Sequence, residues 1–83
     1  MADRQVALVT GCSTGVGLHA AVRLAEAGWQ VVATMRDTGK SGALLEEAGK
    51  AGVAVEVLAL DVTDQTSING AVADVLARHG RID

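Results

Sequence analysis

The sequence predicts an α/β fold: a doubly wound parallel sheet, present in part, with the element order β-α-β-α-β-α, three strands arranged 3-2-1 and the start of a fourth. Three observations carry this. Short continuous apolar runs begin about 25 residues apart, each of the length and pattern of a strand buried on both faces. Helix-compatible segments separate them, and strands alternating with helices of these lengths specify parallel pairing through right-handed crossovers. The composition is that of a packed interior, with 49% hydrophobic residues, 20% charged residues and no proline among 83, which disfavours disorder. A chain of this size buries only about 60 to 65% of its unfolded surface, so such a core is marginal by itself.

The first run, Gln5-Val-Ala-Leu-Val-Thr10, is stopped by Gly11. Gly11-Cys-Ser-Thr-Gly15-Val-Gly17 follows, and a helix is predicted from about Val16 to Ala27, with Gly28 as the residue that ends it. Gln30-Val-Val-Ala-Thr-Met35 repeats the buried-strand pattern, and Arg36 to Ser41 is polar enough to be a loop. A second helix spans about Gly42 to Lys50 and is closed by Gly52. Val55 to Leu60 is the third strand, ending at Asp61. Thr63 or Asp64 can cap a last helix whose inner face is expected to carry Ile68, Val72, Val75, Leu76 and His79 before Gly80 stops it. Ile82-Asp83 is the expected first step of a fourth strand.

Composition also removes function classes. There is one Trp, no Phe and no Tyr, so no chemistry here uses a tyrosine hydroxyl. The single cysteine, Cys12, excludes an internal disulfide and a cysteine zinc cluster. His19 and His79 have no second ligand at metal spacing, so no metal is expected. A net charge of −3 argues against duplex nucleic acid or a polybasic membrane contact as partner. No apolar run approaches the roughly 20 residues of a membrane helix or the core of a signal peptide, and the expected location is cytoplasmic.

The three glycines between the first strand and first helix are the strongest local signal. A strand-to-helix loop aims backbone N–H groups and the positive end of the helix dipole at one point, and glycines let a phosphate approach without meeting a Cβ. A tight turn alone would account for one or two of them. Gly15-Val-Gly17-Leu-His-Ala20 satisfies G-x-G-x-x-G/A only formally, because its first glycine comes five residues after Thr10. Counted from the strand end, the string is T-G-x-x-x-G-x-G, with Gly11 at the turn, Gly15 near a pyrophosphate and Gly17 at the helix contact. Gly39-Lys40-Ser41 looks like the tail of a P-loop, but Thr34 stands where its leading glycine would have to be.

Thr10-Gly11-Cys-Ser-Thr-Gly-Val-Gly17, together with Leu60-Asp61-Val62-Thr63, resembles the classical short-chain dehydrogenase/reductase family, over the whole chain. Gly11 to His19 and Val32 to Asp37 resemble, more narrowly, the estradiol 17-beta-hydroxysteroid dehydrogenases and the related retinol dehydrogenases. The resemblance implies a Rossmann-like fold, with residues 1–83 as the amino-terminal part of one NAD(P)-binding domain whose remainder is absent. It implies that Gly11, Gly15 and Gly17 line the pyrophosphate with Val16 among them, that Ser13 and Thr14 bind the adenosine ribose and its phosphate, and that Asp61 accepts from the adenine amino group beside the Val62 backbone. It implies no catalytic residue here: the family's Asn-Asn-Ala-Gly segment, catalytic Ser and Tyr-x-x-x-Lys pair have no counterpart in these residues, so the chain alone is expected to be inactive.

Cofactor choice turns on the end of the second strand. An acid there holds ribose hydroxyls in an NAD enzyme, whereas an NADP enzyme omits it and supplies Arg for the 2′-phosphate. Met35 holds the strand end, Arg36 follows, and Asp37 is the rival at twenty residues from Gly17. In the resembling family the residue after the strand end contacts the phosphate, so NADP is expected through Arg36, with NAD as the alternative. The implied function is the cofactor half of an oxidoreductase moving hydride between nicotinamide and a small carbonyl or alcohol substrate. The alternatives are a non-catalytic dinucleotide-sensing module and a methyltransferase fragment, for which Met35-Arg36 is a poor match. An uncovered edge at Gln5 to Thr10 makes a homo-oligomer the expected state.

Overall fold

The fold is a computed structural model that describes residues 4–83. Its elements are β1 (Val6–Val9), α1 (Gly15–Glu26), β2 (Gln30–Met35), a 3₁₀ turn (Thr38–Lys40), α2 (Gly42–Ala51), β3 (Glu56–Ala59) and α3 (Gln65–His79). β2 lies between β1 and β3, both pairings are parallel, and the order is therefore 3-2-1. Val6 stands opposite Gln30 in the first pairing and Val32 opposite Glu56 in the second. This register sets the carboxyl ends of the three strands side by side.

β2 is the centre of the molecule because side chains on both of its faces are covered. Val31, Ala33 and Met35 pack with Leu18, Ala21 and Val22 of α1 and Leu44 and Ala48 of α2. The alternate residue Val32 packs with Val6 and Val75 of α3 on the opposite face. Helices on both faces of a parallel sheet make the fold doubly wound, as the apolar runs require. Thr34 is the one buried polar residue of the described core, and its hydroxyl donates to the Val9 carbonyl at 2.8 Å.

The helix boundaries follow local chemistry. Asp64 caps α3, its Oδ1 accepting from the Thr66 and Ser67 amides, and Gly80 ends that helix at φ 78. At the opposite end of the sheet, Glu56 lies 2.8 Å from Arg78 and 2.9 Å from His79 Nε2, which ties the last turn of α3 to the start of β3.

Two expectations need correction. The buried stripe of α3 is Ala71 and Val75, while Leu76 is 44% exposed. Leu76 sits about 100° around the helix from Val75, off the line that meets Val6 and Val32. Ile82-Asp83 forms no strand. Asp83 nonetheless occupies the outer edge of β1, where its amide donates to the Val6 carbonyl at 2.8 Å and its Oδ2 accepts from the Val6 amide at 2.8 Å. One residue bonded in this way starts a ladder without propagating it.

Candidate functional site

The site is built at the carboxyl ends of the strands, where open parallel sheets present their loops. The chain leaves β1 through Gly11, at φ 65, and enters α1 through Gly15, at φ 63. Both conformations are left-handed and strained for any residue with a Cβ. Between them the loop is pinned from below. The Cys12 amide donates to the Thr34 carbonyl at 3.0 Å, and the Cys12 thiol, fully buried, lies 3.2 Å from the Val9 carbonyl. Burial pushes that thiol up, the Thr34 contact opposing it only in part, and Cys12 packs in the apolar cluster with Leu18, Val31 and Ala33.

Gly17 is where α1 meets the end of β1. A Cβ there would lie 2.8 Å from the Gly11 carbonyl carbon and 2.9 Å from the Thr10 carbonyl oxygen. The helix axis can come this close only because the side chain is missing. Thr14, the N-cap residue of α1, makes no side-chain cap hydrogen bond, and no acid lies in the first turn. The first amides of α1 are therefore left without the side-chain partner that a helix start ordinarily has. Gly15 has nothing within 4 Å of where its Cβ would stand, and Val16 is 86% exposed. This is an open, positively polarised cradle whose donors fit a phosphate.

The end of β2 supplies cations. Met35 is buried, and Arg36, Asp37 and Lys40 are exposed. Together with Ser13 from the glycine loop they line one open cleft of about 290 Å³. Of the residues expected to bind the cofactor, Ser13 and Arg36 are thus brought together, while Thr14, expected to share the phosphate with Arg36, lies outside this lining, as do the three glycines, Val16, Asp61 and Val62. Lys40 is the residue that sequence reasoning missed, having weighed it only as part of a P-loop tail. The signal that could have found it is the Asp37-x-Gly39-Lys40 spacing, a side-chain-capped turn that folds a cation back toward the strand end.

At the end of β3, Leu60 still bonds to β2 through the Met35 carbonyl at 2.9 Å. Asp61 is half-buried, its amide donating to Ser67 Oγ at 3.0 Å and its Oδ1 accepting from the Thr63 amide at 3.0 Å and the Thr63 hydroxyl at 2.6 Å. Oδ2 takes no partner among the described residues. The Thr63 hydroxyl, then its amide, hold the Asp61 carboxyl below its ordinary value of 3.8, and the charge of Arg36 adds to this across the strand ends. A depressed carboxylate contributes stability that is complete above the unfolded value and is lost as the pH falls through the folded one. Thr63→Val is accordingly expected to be less stable than the parent by a constant amount above about pH 4, with the gap closing on further acidification. Urea midpoints across that range check it, and a gap that persists unchanged at about pH 2 contradicts it.

Among the described residues no three His, Cys, Asp or Glu side chains are grouped to hold a metal, and no helix is long and apolar enough to cross a membrane. The sequence profile of the family described as short chain dehydrogenase matches residues 5–83. Estradiol 17-beta-dehydrogenase 1 of Rattus norvegicus is 45% identical over 87 residues, covering 98% of this chain and 25% of that protein. Retinol dehydrogenase 8 of Bos taurus is 43% identical, covering 99% of this chain and 30% of that protein. The crystal structure of a metagenomic short-chain oxidoreductase in complex with NADP superposes with a TM-score of 0.86 at 42% identity, over 95% of this chain and 36% of that one. The chain thus spans about a quarter to a third of the length of the proteins it matches. Matched over residues 5–83 by that family's profile and 45% identical to one relative over 98% of its own length, the chain belongs to the short-chain dehydrogenase family.

Proposed function

We propose that this chain binds NADP at the carboxyl ends of its strands and serves as the cofactor-binding part, residues 1–83 of one Rossmann domain, of an oxidoreductase acting on a carbonyl or alcohol. The observation that carries the reading is the cleft in which Ser13, Arg36 and Lys40 converge beside the uncapped start of α1. Its donors are cationic or hydroxyl, as a phosphate on the adenosine ribose demands. The related metagenomic enzyme whose structure holds NADP supports the same choice.

Each residue has a definite task in this reading. Gly11, Gly15 and Gly17, with Val16 between them, keep the loop free of side chains so that the amides of the first α1 turn reach the pyrophosphate. Ser13 and Thr14 donate hydroxyls on the ribose side, and Arg36 reads the 2′-phosphate. Asp61 offers Oδ2 to the adenine amino group while Thr63 holds Oδ1, and the Val62 backbone lies alongside. The bound cofactor supplies the hydride chemistry at its nicotinamide. No tyrosine exists in these residues to move the accompanying proton, so catalysis is not assigned to any of them.

An amide-resolved NMR titration with NADP tests this. Saturable shifts are expected at Gly11 to Gly17, at Arg36 to Lys40 and at Asp61 and Val62. The absence of saturable binding at millimolar NADP, or shifts centred on Gln30, Glu56 and His79 at the opposite end of the sheet, contradicts it.

A further inference from the structure

Asp37 is the acid that an NAD-binding reading would need, and it lies in the cleft. Its carboxylate is already engaged. Asp37 has extended backbone, φ −118 and ψ 105, and caps the 3₁₀ turn Thr38–Lys40. Its Oδ1 accepts from the Gly39 amide at 2.9 Å, and its carbonyl accepts from the Lys40 amide at 3.0 Å. Gly39 fits closely under that carboxylate, since a Cβ on it would lie 3.1 Å from Asp37 Oδ1. The turn reverses the chain just after β2, and this reversal brings Lys40 to the cleft that Arg36 and Ser13 line.

We infer that Asp37 is a positioning residue for Lys40, and that Lys40 is a second cation reading the 2′-phosphate beside Arg36. An acid next to the phosphate site thereby favours NADP instead of opposing it. A carboxylate bonded to its own turn is a weaker competitor for ribose hydroxyls than an unengaged one, and the cap fixes a cation four residues after Arg36 at the cost of one nearby negative charge. The inference rests on the NADP reading above.

The two sources of an Asp37 effect, charge and turn, separate by substitution. Asp37→Asn keeps a capping oxygen and removes the charge. Asp37→Ala removes both. Equilibrium titrations of the protein with adenosine 2′,5′-bisphosphate and, in parallel, with AMP are the readout, because the two differ only in the 2′-phosphate and neither requires turnover. Lys40→Ala is expected to weaken adenosine 2′,5′-bisphosphate about three- to tenfold and leave AMP unchanged. Asp37→Ala is expected to follow it, Gly39→Ala to fall in the same direction, and Asp37→Asn to bind the bisphosphate at least as tightly as the parent.

If Asp37 instead reads ribose hydroxyls, Asn and Ala weaken AMP alike and both leave or raise bisphosphate affinity, which overturns the proposal. A Lys40→Ala variant indistinguishable from the parent overturns it as well, and since Lys40 is exposed this arm stays decidable even where Asp37→Ala misfolds. Failure of the underlying NADP reading has a different signature: the parent itself prefers AMP or binds the two alike. Where the parent and Arg36→Ala reveal a 2′-phosphate preference that Lys40 and Asp37 do not affect, only the present inference falls.

Discussion

Gly17→Ala is expected to destabilise the protein by about 1 to 3 kcal/mol, as overpacking at a closed contact does, and to abolish dinucleotide binding with it. The obstruction is backbone, the carbonyl carbon of Gly11 at 2.8 Å and the carbonyl oxygen of Thr10 at 2.9 Å from the new methyl. Neither can rotate away as a side chain would. Relief requires α1 to lift from the end of β1, which opens the loop whose amides form the phosphate cradle and pulls on the Cys12 amide bond to Thr34. Gly70→Ala is the control: it lies within α3, with nothing within 4 Å of its Cβ, and is expected to stabilise by about 1 kcal/mol from helix propensity. Urea unfolding followed by circular dichroism compares them. A Gly17→Ala variant as stable as the parent means that the helix contact is softer than the geometry indicates.

Arg36→Ala is expected to lower the affinity for NADP by about ten- to hundredfold, the equivalent of roughly 1.5 to 3 kcal/mol for a charge-assisted contact, while NAD binding stays nearly constant. Pairing it with Met35→Asp is expected to turn the preference toward NAD, since an acid then stands at the strand end. The structure adds a condition to that design. Met35 is 3% exposed and packs with Leu44 and Ala48 as well as lining the cleft, so its replacement puts a carboxylate against apolar neighbours and lowers stability. Arg36 is exposed, and its removal alone carries no such penalty.

β2 was legible to the residue, Gln30 to Met35, because it is paired on both sides and covered on both faces. β1 and β3 come out shorter than their apolar runs. Each pairs with only one neighbour in the described sheet, so the runs fray at their ends: Gln5 and Leu60 each keep a single backbone bond to β2 beyond the strand, and Thr10 and Val55 lie outside the strands altogether. The glycine loop was legible because its spacing encodes backbone events: two left-handed turns and one contact without a Cβ. The cleft was not, because Ser13 and Lys40 meet only after a 3₁₀ turn reverses the chain, and that turn is set by a side-chain cap from Asp37 and two short-range backbone bonds. The narrower buried face of α3 was equally hidden, since Leu76 is set outside it by how Val75 meets Val6 of β1 and Val32 of β2.

The central claim, that this site selects a dinucleotide by a 2′-phosphate, is tested most directly by the dissociation constants of NADP and NAD, measured by calorimetry on the unmodified protein at one ionic strength. The account expects NADP to bind at least about tenfold more tightly, with the difference shrinking as salt screens Arg36 and Lys40. Equal affinities, or tighter binding of NAD at low salt, contradict it.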